Sequence, residues 1–459
     1  MLHNQLKKIL PLGGDFLVLY ISLYLTLVIR YRALPSLEIW NLHFQPFSWL
    51  FAVWLIIFYI NGLYDLTFSK NDVQFYNKML ATILVNYALG AAYFYLLTDK
   101  LFEIKPQIVY FIFMALSLAF FSFWRYLYNT LLSRPKFLRK VLIIGIKDEA
   151  WELIEEISKK PQLGYQIVAV IHNHNPGVKH LPQVKFHDPS VDIKKVLREE
   201  KISTVITSLD PRSNPDLVRN LFESLSFKIQ FYDLPIFYEK LTGKIPVTTI
   251  GHIWFLENLA EADKSLYEFF KRLFDITIAL AGLVVSLPVM PIIAVFIKLS
   301  SPGPVLFRQN RLGYLGRPFL AIKFRSMVSG AEKNGEAQWA QVGDPRITKF
   351  GRFLRKTRLD EIPQLLNILK GEMSLIGPRP ERPEFVRQLQ EIIPFYNERH
   401  LVKPGLTGWA QINFQYGASA GDALKKLQYD LFYIKNRSLP LDLAILLKTV
   451  NIILTGRGQ

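Results

Sequence analysis

The sequence predicts a multi-domain integral membrane protein, with an N-terminal four-helix transmembrane bundle, an α/β middle domain and a C-terminal α+β domain that carries a re-entrant membrane helix. Four long apolar runs near the N-terminus predict the bundle, and the alternation of strand-like and helix-like segments after them predicts the middle domain. A further apolar run, interrupted by prolines, precedes the C-terminal third. We place the domains at residues 1–132, 139–245 and 264–459.

The bundle is predicted from composition and from the length of its apolar runs. Half of the 459 residues are hydrophobic and 14% are aromatic, which is high for a soluble protein. Apolar runs at about 11–29, 48–63, 79–98 and 107–128 each approach the ~20 residues that span a bilayer. A soluble helical core is the alternative, but four such runs would leave too little polar surface for water.

The basic residues orient the bundle and limit the partners. Lysines and arginines cluster before the first run, between the second and third and after the fourth, at positions such as Lys7, Lys70 and Arg139. Because cytoplasmic loops are enriched in these residues, we expect both ends of the bundle inside. The net charge of +17 fits a protein that lies against anionic lipid and handles phosphorylated substrates. No nucleic acid is expected, since no binding module accompanies this charge.

The middle segment has the pattern of a small Rossmann-like domain with a parallel sheet. Helix-like stretches separate strand-like segments at 140–145, 166–171, 203–208 and 228–232. The turn Gly145-Ile146-Lys147-Asp148 lacks the second glycine that lets a backbone approach a pyrophosphate. An assembly or regulatory role is therefore favoured over a nucleotide site. The histidine-rich stretch 172–187 is expected to be an exposed loop.

The apolar run 273–297 is long enough to cross a membrane, but its flanks argue against a crossing. Basic residues on both sides indicate that both ends face the cytoplasm. Pro288 and Pro291 each remove a backbone N–H, which predicts a sharp bend. We expect a re-entrant element at about 272–298, with Ser286 as the hydroxyl nearest the backbone groups freed by the break. A fifth full span is the alternative.

The segment RLDEIPQLLN at 358–367 is the most informative stretch of the chain. It places Asp360 and Glu361 just before Pro363, a residue that a helix tolerates in its first turn. This predicts Asp360 as an N-cap, with both carboxylates in the positive potential of a helix start. Such a position keeps Asp360 ionised and nucleophilic, and can hold a phosphate or a metal–phosphate pair. An ordinary helix cap would have the same sequence, so the surrounding residues must distinguish a functional site from a simple cap.

The surroundings of the acidic pair are basic. Arg355 lies at helical spacing with other cations just upstream, and Lys323 and Arg325 fall in a segment with the pattern of two short strands around Gly313 and Gly316. In Gly377-Pro378-Arg379-Pro380, prolines on both sides of Arg379 stiffen an extended backbone, which suits bidentate phosphate recognition. A carboxylate pair among so many cations favours a polyphosphate substrate and phosphoryl-transfer chemistry.

At this point the chain resembles a known family. The C-terminal region, from about Lys264 to the end, is similar to the bacterial sugar transferases, which are monotopic phosphoglycosyl transferases or polyprenyl-phosphate hexose-1-phosphate transferases. Long members of this family have a similar layout, with four spans and a middle domain before the catalytic region. Six ordered motifs carry the resemblance: SPGPVLFRQNRLG at 301–313, KFRSM at 323–327, DPRIT at 344–348, RLDEIPQLLN at 358–367, GEMSLIGPRP at 371–380 and KPGLTGWAQIN at 403–413.

The resemblance implies a reaction and assigns residues to it. A hexose-1-phosphate would pass from a UDP-hexose to polyprenyl (undecaprenyl) phosphate with release of UMP, which starts assembly of an exopolysaccharide, capsule or O-antigen repeat unit. Asp360 would be the nucleophile that carries the phosphosugar, and Glu361, with Asp360, would hold Mg²⁺. Arg355 and Arg379 match arginines near the phosphates. The expected location is the bacterial inner membrane, with the catalytic domain facing the cytoplasm.

Further residues are candidates for binding. Lys323 and Arg325 would contact the donor or lipid phosphates, with structural pairing as the alternative. Thr407, Trp409 and Gln411 resemble family positions near the nucleotide. A homodimer through the bundle or the middle domain is a further expectation.

Two other functions remain open from the sequence. A membrane-bound nucleotide-sugar dehydratase or epimerase needs a glycine-rich loop and a Tyr-x-x-x-Lys pair in its nucleotide domain, and Tyr267 and Lys271 have the spacing but lie on the approach to the apolar run. A non-catalytic scaffold for polysaccharide assembly would tolerate loss of Asp360.

Overall fold

The computed structural model describes residues 2–96, 107–132, 134, 138–172, 184–209, 214–259, 264–331, 344–414, 417 and 419–456. The chain divides into two compact units, Met1–Leu234 and Pro235–Gln459. The division precedes residue 245, where the sequence placed the end of the middle domain, because Ile245 and its neighbours pack into a core of the second unit.

The first unit begins with an apolar helical bundle. Phe51 and Phe113 stack at its centre with ring centroids 5.5 Å apart, while Leu17 and Ile56 on the outer faces are exposed. Such exposed apolar faces suit contact with lipid. Among the described residues, four helices here are long and apolar enough to cross a membrane, as predicted: α1 (Leu2–Tyr31), α2 (Leu37–Ile60), α3 (Val73–Leu96) and α4 (Gln107–Leu132).

A buried ion pair joins the first and last helices of the bundle. Arg125 Nε of α4 donates to Asp15 Oδ1 of α1 over 3.1 Å, and Arg125 Nη1 donates to the Leu63 carbonyl over 3.0 Å. Both charged side chains are almost fully buried. An apolar bundle tolerates such charges when they are paired, so the pair fixes α1 against α4.

The second part of this unit is a five-stranded sheet with the order β3-β2-β1-β4-β5. Every neighbouring pair is parallel, which confirms the predicted parallel sheet and has the Rossmann-like strand order. The strands are β1 (Arg139–Ile144), β2 (Tyr165–Ile171), β3 (Lys185–His187), β4 (Thr204–Thr207) and β5 (Gln230–Asp233). The helices between them are α5 (Asp148–Lys159), α6 (Ile193–Glu199) and α7 (Pro215–Glu223).

Two details of the sheet bear on the sequence predictions. Gly145, after β1, has a φ of +78°, and a Cβ there would lie 2.6 Å from Ser208 Oγ, so the turn itself requires glycine. Edge strand β3 was not predicted: its three residues lie in the histidine-rich stretch that was expected to be a loop, and residues 173–183 of that stretch lie outside the described residues.

The second unit combines helices with two small sheets. Strands β6 (Leu306–Leu312) and β7 (Pro318–Phe324) pair antiparallel where the sequence predicted two short strands, and β8 (Ser374–Ile376) pairs in parallel with β9 (Gly405–Thr407). The helices are α8 (Leu234–Thr242), α9 (His252–Asn258), α10 (Ser265–Ser286), α11 (Val289–Ser300), α12 (Lys349–Thr357), α13 (Leu365–Lys370), α14 (Pro383–Ile392), α15 (Trp409–Asn413), α16 (Ala420–Asn436) and α17 (Leu439–Thr455).

Helices α10 and α11 are bent by 63° where they meet, at the position that Pro288 predicts. The Leu287 N–H reaches both the Leu283 and Val284 carbonyls, at 2.9 and 3.3 Å. The Ser286 hydroxyl also donates to the Leu283 carbonyl over 3.0 Å. These bonds satisfy the carbonyls next to the missing N–H of proline, so the bend leaves them partnered in apolar surroundings.

Candidate active site

Asp360 and Glu361 lie in a short 3₁₀ helix, Leu359–Gln364, between α12 and α13. Arg358, just before it, has a φ of 58°, a left-handed conformation that is uncommon outside glycine. The predicted N-cap role of Asp360 is wrong, because this left-handed turn starts the helical segment earlier and places Arg358 in the N-cap position. Pro363 lies inside the 3₁₀ helix rather than in the first turn of α13.

Three cations surround Glu361. Its Oε1 lies 2.6 Å from Arg379 Nη2, 3.2 Å from Lys323 Nζ and 3.4 Å from Arg358 Nη1. Burial acts to raise the pKa of Glu361, but the charges of Arg379, Lys323 and Arg358 outweigh it and hold that pKa well below its usual range. Glu361 therefore stays ionised at any physiological pH.

Asp360 has a different environment. Burial and the adjacent Glu361 charge raise the pKa of Asp360 to about 6, against the opposing charges of Lys323 and Arg355. Asp360 Oδ1 is buried and has no hydrogen-bond partner among the described residues. Arg355 is held nearby on α12, where its Nε donates to Ser326 Oγ over 2.8 Å. Asp360 thus offers a carboxylate oxygen that no donor in the described part of the chain occupies.

Asn367, at the end of the RLDEIPQLLN segment, fixes Lys323 relative to the acidic pair. Its Nδ2 donates to the Leu320 carbonyl over 2.8 Å, and its Oδ1 accepts from the Ile322 N–H over 3.2 Å. Both partners lie in β7, so the fully buried amide ties the strand that carries Lys323 to the helix that follows Glu361. Asn367 was not predicted from the sequence, although a polar amide within an apolar helical run is a signal for such a bond.

The parallel pairing of β8 with β9 positions Arg379. The Gly377 N–H donates to the Thr407 carbonyl over 2.9 Å, and the Gly405 N–H donates to the Pro378 carbonyl over 2.8 Å. Residues 377–380, here called the GPRP loop, are thereby fastened to the segment that follows Pro404. Two motifs that are distant in sequence thus form one support for the Arg379 guanidinium.

Arg325 differs from the other predicted phosphate-binding residues. Its Nη1 donates to the Pro302 carbonyl over 2.9 Å, and its Nη2 donates to the Ser301 carbonyl over 2.7 Å. The side chain is buried, at 6% exposure. Of the two alternatives for Arg325, the structure shows structural pairing, in which the guanidinium holds the carbonyl end of α11.

The three residues predicted near the nucleotide make contacts within the second unit. Thr407 Oγ1 lies 2.8 Å from Thr449 Oγ1, and Trp409 Nε1 donates to the Gly243 carbonyl over 2.8 Å. Gln411 Nε2 donates to a backbone carbonyl of β9 over 3.2 Å, while its Oε1 is buried with no hydrogen-bond partner in the described part of the chain. Nucleotide contact by these residues stays a prediction.

The Tyr267 and Lys271 pair, which has the spacing of a dehydratase site, has a structural partner. Tyr267 Oη and Lys271 Nζ lie 2.8 and 2.9 Å from Asp442 Oδ2, and Tyr433 donates to Asp442 Oδ1 over 2.8 Å. This buried cluster joins α10 to α16 and α17 in the second unit. It lies outside the Rossmann-like sheet, so it does not supply the catalytic pair that a dehydratase needs in its nucleotide domain.

The donor set of the acidic pair fits Mg²⁺. Proteins bind this ion through one or two carboxylates together with substrate phosphates. Asp360 and Glu361 supply two adjacent buried carboxylates, one with an unpartnered oxygen. In the described part of the chain, no group of three or more His, Cys, Asp or Glu side chains is arranged to hold a metal ion.

Helices of membrane-spanning length, a parallel sheet and an acidic pair among cations define a multi-domain membrane protein. The model of the bacterial sugar transferase family matches residues 266–456, and that of a family described as a CoA-binding domain matches residues 59–226. The chain belongs to the bacterial sugar transferase family, as its similarity to long relatives also shows.

Three relatives illustrate the similarity. A UDP-glucose:undecaprenyl-phosphate glucose-1-phosphate transferase of Klebsiella pneumoniae is 30% identical over 95% of this chain and 93% of its own length. A protein of the same name from Escherichia coli is 35% identical over 68% of this chain and 67% of its own length. A UDP-N-acetylgalactosamine-undecaprenyl-phosphate N-acetylgalactosaminephosphotransferase of Aeromonas hydrophila is 47% identical over 50% of this chain, and the match spans about half (53%) of that relative.

Proposed function

We propose that this protein transfers a hexose-1-phosphate from a UDP-hexose to polyprenyl (undecaprenyl) phosphate, with release of UMP. The supporting observation is the acidic pair, in which Glu361 is held ionised by three cations beside the unpartnered Oδ1 of Asp360. The Klebsiella and Escherichia relatives, whose names state this reaction for UDP-glucose, also support the proposal.

The first step is a displacement at phosphorus. An oxygen of ionised Asp360 forms a bond to the β-phosphorus of the UDP-hexose, and the bond from that phosphorus to the bridging oxygen breaks. UMP departs with the bonding electrons, and the phosphosugar remains on Asp360 as an acyl phosphate. A carboxylate is a weak nucleophile, so this step requires that the charge developing on UMP be neutralised.

The second step returns the enzyme to its starting state. A phosphate oxygen of the polyprenyl phosphate attacks the same phosphorus, and the Asp360–phosphorus bond breaks. The products are a polyprenyl-diphospho-hexose and the free carboxylate. Splitting the transfer in two lets one nucleophile serve a water-soluble donor and a lipid acceptor in turn.

The cations around the pair have distinct roles in this proposal. Arg379 and Lys323 lie within 3.2 Å of Glu361. When the donor binds, each would bind the diphosphate oxygens, either in place of Glu361 or in addition to it. Arg355, whose charge reaches Asp360, keeps the nucleophile ionised. Glu361, with Asp360, would hold Mg²⁺, which neutralises diphosphate charge when bound.

We further propose that α10 and α11 enter one leaflet and return. Polar side chains in the first turns of α10 anchor it to the rest of the second unit: Arg272 donates to the Ile368 and Leu369 carbonyls over 2.6 and 2.7 Å, and Asp275 accepts from the Leu375 N–H over 3.0 Å. The apolar arm after Asp275 runs to residue 287. At ~1.5 Å per residue it covers roughly 18 Å, well short of the ~30 Å hydrocarbon layer.

The far end of the element supports the same arrangement. Helix α11 has 12 residues, again roughly 18 Å, and its Ile293 and Ile297 pack with Phe324 and Leu354. Both ends of the bent pair are therefore held in one folded unit. A full crossing would place parts of that unit on opposite sides of the bilayer and break these contacts.

The location and pathway follow from the substrates. UDP-hexoses are made in the cytoplasm, so we place the catalytic unit at the cytoplasmic face of a bacterial inner membrane, with polyprenyl phosphate reaching Asp360 from the leaflet. The product would open assembly of an exopolysaccharide, capsule or O-antigen repeat unit. The named relatives use UDP-glucose or UDP-N-acetylgalactosamine, and these two donors are the first to test.

The test is an assay on the full-length protein in detergent with Mg²⁺, undecaprenyl phosphate and a panel of UDP-sugars. Release of UMP that requires the lipid acceptor for turnover supports the proposal. Release of UDP would indicate ordinary glycosyl transfer, and no release from any donor would favour a scaffold. A homodimer is compatible with each outcome and is tested separately by mass photometry.

A further inference from the structure

Arg399 lies behind the GPRP loop and is almost fully buried. Its Nη2 donates to Asp430 Oδ2 over 2.8 Å and its Nη1 donates to the Tyr396 hydroxyl over 2.8 Å. The Arg399 and Asp430 side chains are 5% and 2% exposed. A buried charge pair of this kind costs desolvation energy and contributes little net stability.

The same Nη2 also donates to the backbone carbonyl of Arg379 over 3.0 Å. This carbonyl belongs to the peptide bond that joins Arg379 to Pro380, and its orientation sets the direction of the residue that carries the guanidinium. The loop is also held by backbone bonds at Gly377 and Pro378 to the segment that contains β9, and by Arg311 Nη1, which donates to the Pro380 carbonyl over 3.3 Å. Arg399 adds a side-chain anchor directly at Arg379.

The contacts form a continuous chain from the core to the acidic pair. Asp430 of α16 orients Arg399, Arg399 holds the Arg379 carbonyl, and the Arg379 guanidinium lies 2.6 Å from Glu361. Arg399 Nη2 serves both Asp430 and the Arg379 carbonyl, while Nη1 holds the Tyr396 hydroxyl. A lysine has one nitrogen in place of this planar two-nitrogen fork, so it cannot make all three bonds in the same geometry.

We propose that Arg399 is a positioning residue for the transfer reaction, which acts through Arg379 by fixing the GPRP loop. The expected effect of Arg399 on the rate of transfer rests on the proposed function. Its expected effect on the mobility of the GPRP loop rests on the structure alone. Loss of the anchor leaves the charge of Arg379 in place but widens the range of positions that its guanidinium samples. A misplacement on the order of 1 Å can cost about 100-fold in rate.

The experiment is a double-mutant cycle on the full-length protein. Arg399→Lys keeps a positive charge opposite Asp430, and exposed Arg387→Lys on α14 is the matched control. We expect Arg399→Lys to lower the rate of UMP release at saturating donor by about 10-fold or more in the wild-type background. In the Arg379→Ala background the same change should lower it by less than about 2-fold, since the group that it positions is gone.

Hydrogen exchange supplies the second readout without any substrate. Arg399→Lys should raise exchange in the peptide that covers 377–382 by about 10-fold, with no change over 139–160 and none in Arg387→Lys. Equal rate losses in both backgrounds, or faster exchange spread over the whole second unit, would overturn the positioning role. If the wild-type protein releases no UMP, the proposed function fails, and the exchange result alone decides the role of Arg399.

Discussion

Arg379 Nη2 lies 2.6 Å from Glu361 Oε1, so the GPRP loop and the 3₁₀ helix of the acidic pair are joined by one ion pair. The arginine charge keeps Glu361 ionised, and the Glu361 charge in turn raises the pKa of Asp360. The pKa of Asp360, the proposed nucleophile, therefore depends on both the Glu361 charge, which raises it, and the Arg379 charge, which lowers it. Changes at Arg379 or Glu361 should alter how Asp360 titrates as well as how substrate binds.

Replacing Asp360 should remove the covalent step. Asp360→Asn keeps the shape of the side chain but cannot form an acyl phosphate, so we expect UMP release to fall by at least about 10³-fold. Mass spectrometry of wild-type protein, incubated with UDP-sugar and no acceptor, should show a phosphohexose on the peptide that contains Asp360. The exposed Glu391→Gln variant is the control and should keep full activity. An adduct on another residue, or activity retained by Asp360→Asn, would contradict the assignment.

Adduct formation should depend on pH through Asp360. Its pKa of about 6 means that the reactive carboxylate is lost as the pH falls through 6, so the single-turnover rate should be half-maximal near pH 6 and level above pH 7. Glu361→Gln removes the neighbouring charge that raises this pKa. The variant should be slower, but its midpoint should move to lower pH. A midpoint that stays fixed or rises would show that Glu361 does not act on the nucleophile in this way.

The sequence predicted the acidic pair, its basic surroundings and the parallel sheet, because each is encoded in local spacing. Alternation of strand and helix patterns is a short-range signal, and so is a stiff Pro-Arg-Pro segment. The motifs around Asp360 and Arg379 could be recognised from the sequence for the same reason. The two motifs were also expected to lie at one site, since both carry groups suited to binding one phosphate.

Other features depend on tertiary contacts that no local pattern contains. Lys323 and Arg325 look equivalent in sequence, yet Lys323 faces Glu361 while Arg325 binds carbonyls at the end of α11. The left-handed turn at Arg358 is adopted by a residue type that rarely favours it, and this turn displaced the expected N-cap from Asp360. Arg399 was missed because Asp430 and the Arg379 carbonyl, which it joins, are distant from it in sequence.

Arg379→Ala should lose activity out of proportion to stability. The Arg379 side chain is 24% exposed, so its removal leaves no large cavity, but it takes away a cation from the proposed phosphate site. We expect turnover to fall by about 10²-fold, with a small change in melting temperature. The exposed Arg387→Ala variant controls for loss of charge. Unchanged turnover in a well-folded Arg379→Ala protein would refute a phosphate contact.

Substitutions at Lys323 and Arg325 should affect different properties, turnover for Lys323 and stability for Arg325. Arg325→Met leaves the carbonyls of Pro302 and Ser301 without their donor and should cost about 1–3 kcal/mol of stability, seen as a lower melting temperature in detergent. Lys323→Met removes a cation from Glu361 and should lower turnover with less effect on melting. The reverse pattern, with Arg325→Met stable but inactive, would restore Arg325 to the phosphate site.

The proposed topology can be tested with single cysteines, since the chain contains none. Leu34 lies between α1 and α2 and is 77% exposed, and exposed Lys195 and Gln388 lie in the middle domain and in the catalytic unit. In spheroplasts, a membrane-impermeant maleimide should label Leu34→Cys, while Lys195→Cys and Gln388→Cys should react only after lysis. A full crossing by α10 and α11 would instead put Gln388 and Lys195 on opposite sides. Labelling of Gln388→Cys in intact spheroplasts would therefore overturn the re-entrant element, because both of its ends are anchored in the unit that carries this residue.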